Sequence, residues 1–93
     1  LQQVNVGAML KPGVYLLHFH DKVVYVGRSA HCMLSAIDQH RRHVGKRVPE
    51  WYPLKGVRFD DVTVIPCAHD RQPELLEALN AYYLPHKLES KVA

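Results

Sequence analysis

From Val14 to Phe19 the chain is almost wholly apolar and aromatic, and after the polar segment His20-Asp21-Lys22 a second apolar run follows from Val23 to Val26. Lys11-Pro12-Gly13 is a turn that opens the first run. Two runs of strand-forming residues around a short polar break predict an antiparallel hairpin, with the chain turning at Asp21-Lys22. Side chains alternate across a strand, so Tyr15, Leu17 and Phe19 share one face and Val14, Leu16 and His18 the other. Both faces are mostly apolar, and such a sheet needs helices on it.

Beyond the hairpin the period changes. Met33, Ala36, Ile37 and His40 recur at helical spacing, predicting a helix over about His31 to His43, with Ser29 near its N-cap and Gly45 as its stop. Residues 46–56 carry Pro49, Trp51, Pro53 and Gly56 and read as a surface loop. Val57, Phe59, Val62 and Val64 alternate in part. They predict a third strand over Val57 to Ile65, bulged or kinked at Asp60-Asp61 and closed by Pro66. His69-Asp70-Arg71-Gln72 then leads into a second helix, with Pro73 in its first turn and Leu75, Leu76, Leu79 and Tyr83 on its apolar face. Pro85 ends it. The order β-β-α-β-α predicts an α+β fold, a small three-stranded antiparallel sheet flanked by helices, as one domain over residues 1–93.

Composition narrows the class. With 93 residues, 47% hydrophobic and 23% charged, the chain suits one small globular domain of modest stability. No apolar run reaches the roughly 20 residues that span a bilayer, and no signal-peptide pattern is seen. Two distant cysteines, Cys32 and Cys67, do not make a disulfide scaffold and suit a reducing, intracellular setting, cytoplasmic or nucleoid-associated. The net charge of +3 is mild, but Arg41, Arg42, Lys46 and Arg47 cluster around His43. That clustering suits a polyanion, or simply a solvated helix end.

Gly13-Val14-Tyr15 and Tyr25-Val26-Gly27 place a tyrosine beside a glycine in each hairpin strand. The pair resembles the signature of the GIY-YIG nucleases, with Val for the usual Ile, and the likeness extends over the whole chain. The resemblance implies cleavage of DNA phosphodiesters with one Mg²⁺ or Mn²⁺. Such a reaction needs a water that loses its proton, charge neutralisation at phosphorus and a stabilised leaving oxygen.

The resemblance also assigns residues. Tyr15 and Tyr25 would line the active site, Tyr15 helping to activate water. His40 matches a polar position on the first helix that hydrogen-bonds the tyrosine or accepts a proton. Glu77, in Leu75-Leu76-Glu77-Ala78-Leu79 ahead of Leu84-Pro85, matches the carboxylate that holds the metal. Glu74, three residues earlier, is its rival, and Leu88 stands in the neighbourhood where the family often has Asn. Arg28 matches a position often basic in relatives and would contact phosphate. Arg41, Arg42, Lys46 and Arg47 would grip the backbone.

Ala36 is the main departure. In Ala36-Ile37-Asp38-Gln39-His40 every position fits the family's first helix except the first, which is usually arginine. That guanidinium would bind the scissile phosphate. Three explanations compete: an active enzyme disabled by an Arg-to-Ala change, a natural non-cleaving binder, or Arg28 as a substitute cation. The preserved Tyr15, Tyr25, His40 and Glu77 favour the first.

The expected function is therefore a metal-dependent endonuclease in which this chain is weakened or inactive. The alternatives are a nucleic-acid-binding module without chemistry, or RNA as substrate. One site cuts one strand, so a duplex break implies two binding events or a homodimer. Trp51, Tyr52, Lys55 and Arg58 mix rings with cations and suit either stacking on unpaired bases or packing of a loop. His18-x-His20, His31-Cys32 and Cys67-x-His69 match no common zinc spacing.

Overall fold

The chain folds as a three-stranded antiparallel sheet with helices on both faces, as seen in a computed structural model that describes residues 6–47, 49, 51 and 55–85. A short helix, α1 (Val6–Met9), precedes β1 (Gly13–Phe19), β2 (Lys22–Ser29), α2 (Met33–Arg42), β3 (Asp61–Pro66), a 3₁₀ turn (His69–Arg71) and α3 (Gln72–Tyr83). The strand order is β2-β1-β3, so β1 is central and both its neighbours run antiparallel to it. The α+β class and the succession of the main elements match the expectation, and α1 is an addition to it.

The hairpin turns one residue earlier than predicted. Phe19 pairs with Lys22, and the two residues between them, His20 and Asp21, both have positive φ (52° and 64°). That is a two-residue type I′ turn, whose twist matches the strands it joins. The sheet's irregularity also lies elsewhere than predicted. Leu17 pairs with Tyr25 but His18 with Val23, so Val24 is the extra residue of a bulge in β2. Asp60 instead forms a bend just before β3, its N–H donating to the His18 carbonyl at 2.9 Å.

The third strand is shorter than Val57 to Ile65 because its predicted first half has another task. Residues 55–57 dock on the end of α2, where Val57 N–H donates to the His40 carbonyl at 3.1 Å. Gly56 permits this crossing: a Cβ there would lie 2.3 Å from the His43 carbonyl oxygen. Alternation is the same for a paired strand and for an extended segment, so Val57 and Phe59 read as strand without being one.

The core is split by the sheet. On one face Tyr15, Leu17 and Val62 meet Met33, Ala36 and Ile37 of α2 and Met9 of α1. On the other, Val14, Leu16 and Val26 meet Leu75, Leu76 and Leu79 of α3. Full burial of side chains such as Leu17 and Met33 is worth roughly 2 kcal/mol each. Tyr83 does not join the α3 face and is 44% exposed. Leu84 packs there in its place.

Two side chains, Ser29 and Gln72, tie the starts of the helices. α2 begins at Met33, two residues later than expected, because Ser29 Oγ closes the turn before it. That oxygen accepts from Cys32 N–H at 3.1 Å and donates to the Cys32 carbonyl at 3.0 Å. Gln72, fully buried at the start of α3, donates through Nε2 to the Ser29 carbonyl at 2.9 Å and fastens that helix to the end of β2. Among the described residues no helix is long and apolar enough to cross a membrane.

Candidate functional site

Tyr15, Tyr25 and His40 come from the central strand, the edge strand and the first long helix, and they meet on the α2 face. The Tyr15 hydroxyl lies 2.7 Å from His40 Nε2. Their rings are 5.7 Å apart, and the Tyr25 ring lies 4.6 Å from the imidazole and 6.5 Å from the Tyr15 ring. Position 36 is one helical turn before His40, and Ala36 packs in the same cluster as Tyr15.

The far side of the imidazole fixes its proton. Nδ1 lies 2.6 Å from the Lys55 carbonyl. A carbonyl only accepts, so Nδ1 carries the hydrogen. Nε2 of the neutral ring is then the acceptor, and the Tyr15 hydroxyl donates to it. The result is a chain of two bonds, from the Tyr15 hydroxyl to His40 and from His40 to Lys55 backbone. Both ring nitrogens of a fully buried histidine are thereby satisfied.

Burial sets the titration of all three groups. Desolvation pushes the Tyr15 phenol well above its ordinary value, with the nearby Tyr25 phenol adding to the rise. Burial raises Tyr25 as well. It lowers His40, and the positive charges of His43 and Lys55 lower it further, against the bond to the Lys55 carbonyl, which raises it. The pair is therefore neutral at pH 7: a phenol that holds its proton, bonded to an imidazole that burial keeps unprotonated.

Gly27 makes room for this arrangement. A Cβ there would lie 2.6 Å from both Cζ and Oη of Tyr15, so the Tyr15 ring occupies the space that any larger residue at 27 would fill. The glycine after the second tyrosine is thus required by the first tyrosine.

The other predicted site residues stand apart from the trio. Arg28 pairs with Val14, which faces α3, and so projects to that face and is exposed. Glu77 is exposed on α3, as is Glu74 one turn before it. Arg28 and Glu77 are thus on the α3 side, while Tyr15, Tyr25, His40 and Ala36 are on the α2 side. Arg41 and Arg42 are exposed on α2 and share one carboxylate, Asp38, at 2.7 and 2.9 Å. Their joint charge is reduced accordingly, and Lys46 and Arg47 are exposed beyond the helix end. Trp51 is 80% exposed. Tyr52 and Leu88 lie outside the described residues.

Lys55 was grouped with the loop aromatics in the sequence, yet it stands against the trio. Its Nζ lies 5.9 Å from the Tyr25 ring centroid. No spacing signal joins it to His40, fifteen residues away; Gly56, which the loop needs for its close crossing, is the nearest clue.

No group of three or more His, Cys, Asp or Glu side chains able to hold a metal is found among the described residues. The donor chemistry at Glu77 nonetheless suits a hard cation. Mg²⁺ is commonly held by one or two carboxylates, with water and phosphate oxygens completing the shell. No protein-family profile, curated protein or solved structure matches this chain.

Proposed function

We propose that this chain is a phosphodiesterase domain of the GIY-YIG type, a metal-dependent endonuclease acting on DNA, weakened by alanine at position 36. The observation that carries this reading is the convergence of Tyr15, Tyr25, His40 and Ala36 from three separate segments into one cluster.

In this reading His40 is the proton acceptor and Tyr15 the conductor. Once the cluster opens to admit the attacking water, the Tyr15 oxygen accepts a proton from it as its own proton passes to Nε2, so the phenol never has to ionise. The Lys55 carbonyl stabilises the imidazolium that forms. Tyr25, half-buried over the imidazole, faces the substrate. Mg²⁺ or Mn²⁺, when bound, would supply charge stabilisation at the phosphate; Glu77, the carboxylate the resemblance offers for it, stands on the α3 side of the sheet, away from the trio, so this reading leaves the metal's ligands unassigned.

The test is nicking of single-stranded, duplex and branched DNA with Mg²⁺ or Mn²⁺, by the chain as it stands and by Ala36→Arg. Ala36 is only 6% exposed, so an arginine there has to run its stem along the tyrosine rings to bring its head out. Circular dichroism checks that the variant folds. The expected result is metal-dependent cutting that rises on the order of 10²–10³ in Ala36→Arg and is lost in EDTA. Binding without cutting in either form would overturn the reading.

A binding module without chemistry is the second reading. It is favoured by one observation: Tyr15 and His40 are both 0% exposed, so the proton acceptor is closed to water in this structure. Competition between matched DNA and RNA strands identifies the polymer in either case.

A further inference from the structure

The site lacks the cation that its resemblance calls for, since position 36 holds alanine and Arg28 projects to the other face. A positive charge nevertheless stands against the tyrosine–histidine trio. Lys55 Nζ is 5.9 Å from the Tyr25 ring centroid, within the range of a cation–π contact. Its carbonyl takes the His40 Nδ1 hydrogen at 2.6 Å. One residue thus holds the relay with its backbone and presents an ammonium beside it with its side chain.

This placement is built, not incidental. Val57 N–H is tied to the His40 carbonyl at 3.1 Å, two residues beyond Lys55. The glycine between them lets the segment pass over His43. The lysine's stem is therefore anchored at its root while its head is exposed. An ammonium with three donors on a flexible stem is a usual phosphate ligand. The Tyr25 ring holds it ready without neutralising it, as a carboxylate would.

We propose that Lys55 is the phosphate-contacting cation of this site, standing in for the guanidinium absent at position 36, with the Tyr25 ring, which also touches His40, as its platform. The proposal takes its substrate class, a phosphodiester, from the function proposed above. It departs from the sequence expectation, which gave phosphate contact to Arg28 and the basic end of α2.

The experiment uses Lys55→Met, which keeps an unbranched stem on Tyr25 and the carbonyl on His40 but removes the charge, and Lys55→Arg, which restores it. The probe is a short thymidylate oligomer in EDTA, followed by NMR of the Tyr25 ring and the Lys55 side chain. Both signals are expected to shift on binding. Lys55→Met is expected to weaken binding about tenfold and to flatten its salt dependence by about one phosphate contact, with Lys55→Arg restoring both. Unchanged affinity and salt slope in Lys55→Met would overturn the proposal, as would binding that shifts other surfaces and leaves Tyr25 and Lys55 unmoved. The cleavage assay keeps the two readings apart. If no form cuts while the oligomer binds as described, the endonuclease reading fails and Lys55 stands. If Ala36→Arg cuts and Lys55→Met in that background cuts and binds equally well, the Lys55 assignment fails and the endonuclease stands.

Discussion

On the α2 side of the sheet two polar side chains, Tyr15 and His40, lie fully buried and satisfy each other and the Lys55 carbonyl. On the α3 side the interior is aliphatic, Val14, Leu16 and Val26 against leucines, with Gln72 at the helix start as its one described buried polar side chain, while Arg28 and Glu77 face outward. One face thus keeps its chemistry inside, where low polarity strengthens hydrogen bonds and makes any missing partner costly. The other keeps its charges in solvent, where they have little effect on stability. The contrast teaches that Tyr15 is held by packing and hydrogen bonding together, whereas the exposed Glu77 carboxylate has no packing duty.

The largest effect is expected where the buried network is broken. His40→Ala leaves the Tyr15 hydroxyl and the Lys55 carbonyl unpaired around a cavity and should cost about 4 kcal/mol in urea denaturation. A loss below about 1 kcal/mol would mean that the network is not what holds this face together. Gly27→Ala comes next. The new methyl meets the Tyr15 ring at 2.6 Å, and the displacement should cost about 2–3 kcal/mol and detach Tyr15 from His40, which NMR of the imidazole nitrogens would register.

The two faces should also differ in their response to pH. Burial holds the His40 pKa below its ordinary 6.5, so between the folded value and 6.5 the unfolded chain binds a proton that the folded chain does not. The stability that depends on neutral His40 is complete above pH 6.5 and is lost as pH falls from there through the folded pKa. Urea midpoints followed from about pH 7.5 down to about pH 5 should fall in the natural chain and fall less in His40→Gln. Equal declines would assign the effect to other groups. The smallest effect sharpens the comparison from the far side: Glu77→Ala and Arg28→Ala should each leave stability within about 0.5 kcal/mol. A larger loss would reveal a packing role that exposed side chains do not have.

Much of the fold was legible because it rests on local patterns. The hairpin, both long helices and the sharing of faces by Tyr15 with Leu17 and Val14 with Leu16 follow from periods of two and of 3.6. The turn was placed a residue late because Asp21-Lys22 looks like a turn, whereas hairpin twist selects the His20-Asp21 pair with positive φ. Val57 and Phe59 misled because alternation reports an extended chain and not what the chain pairs with. At the site, Tyr15, Tyr25 and His40 were found through motif resemblance, and the structure brings them together. That Arg28 faces away from Tyr25 follows from alternation, the two standing three residues apart in one strand. The placement of Glu77 relative to the trio was not legible, because which side of the sheet a helix covers depends on how the chain crosses over.

The sequence by itself determined the elements, the apolar stripes that pair them, the glycine-flanked tyrosines and the alanine where a cation is expected. Those are properties of residues near one another in the chain. Only the tertiary structure decided that a phenol and an imidazole twenty-five positions apart are hydrogen-bonded, and that the Lys55 carbonyl selects which nitrogen accepts. It also decided that a loop lysine stands over Tyr25. Each depends on distant segments meeting at ångström precision, and packing sets those distances while local propensity does not.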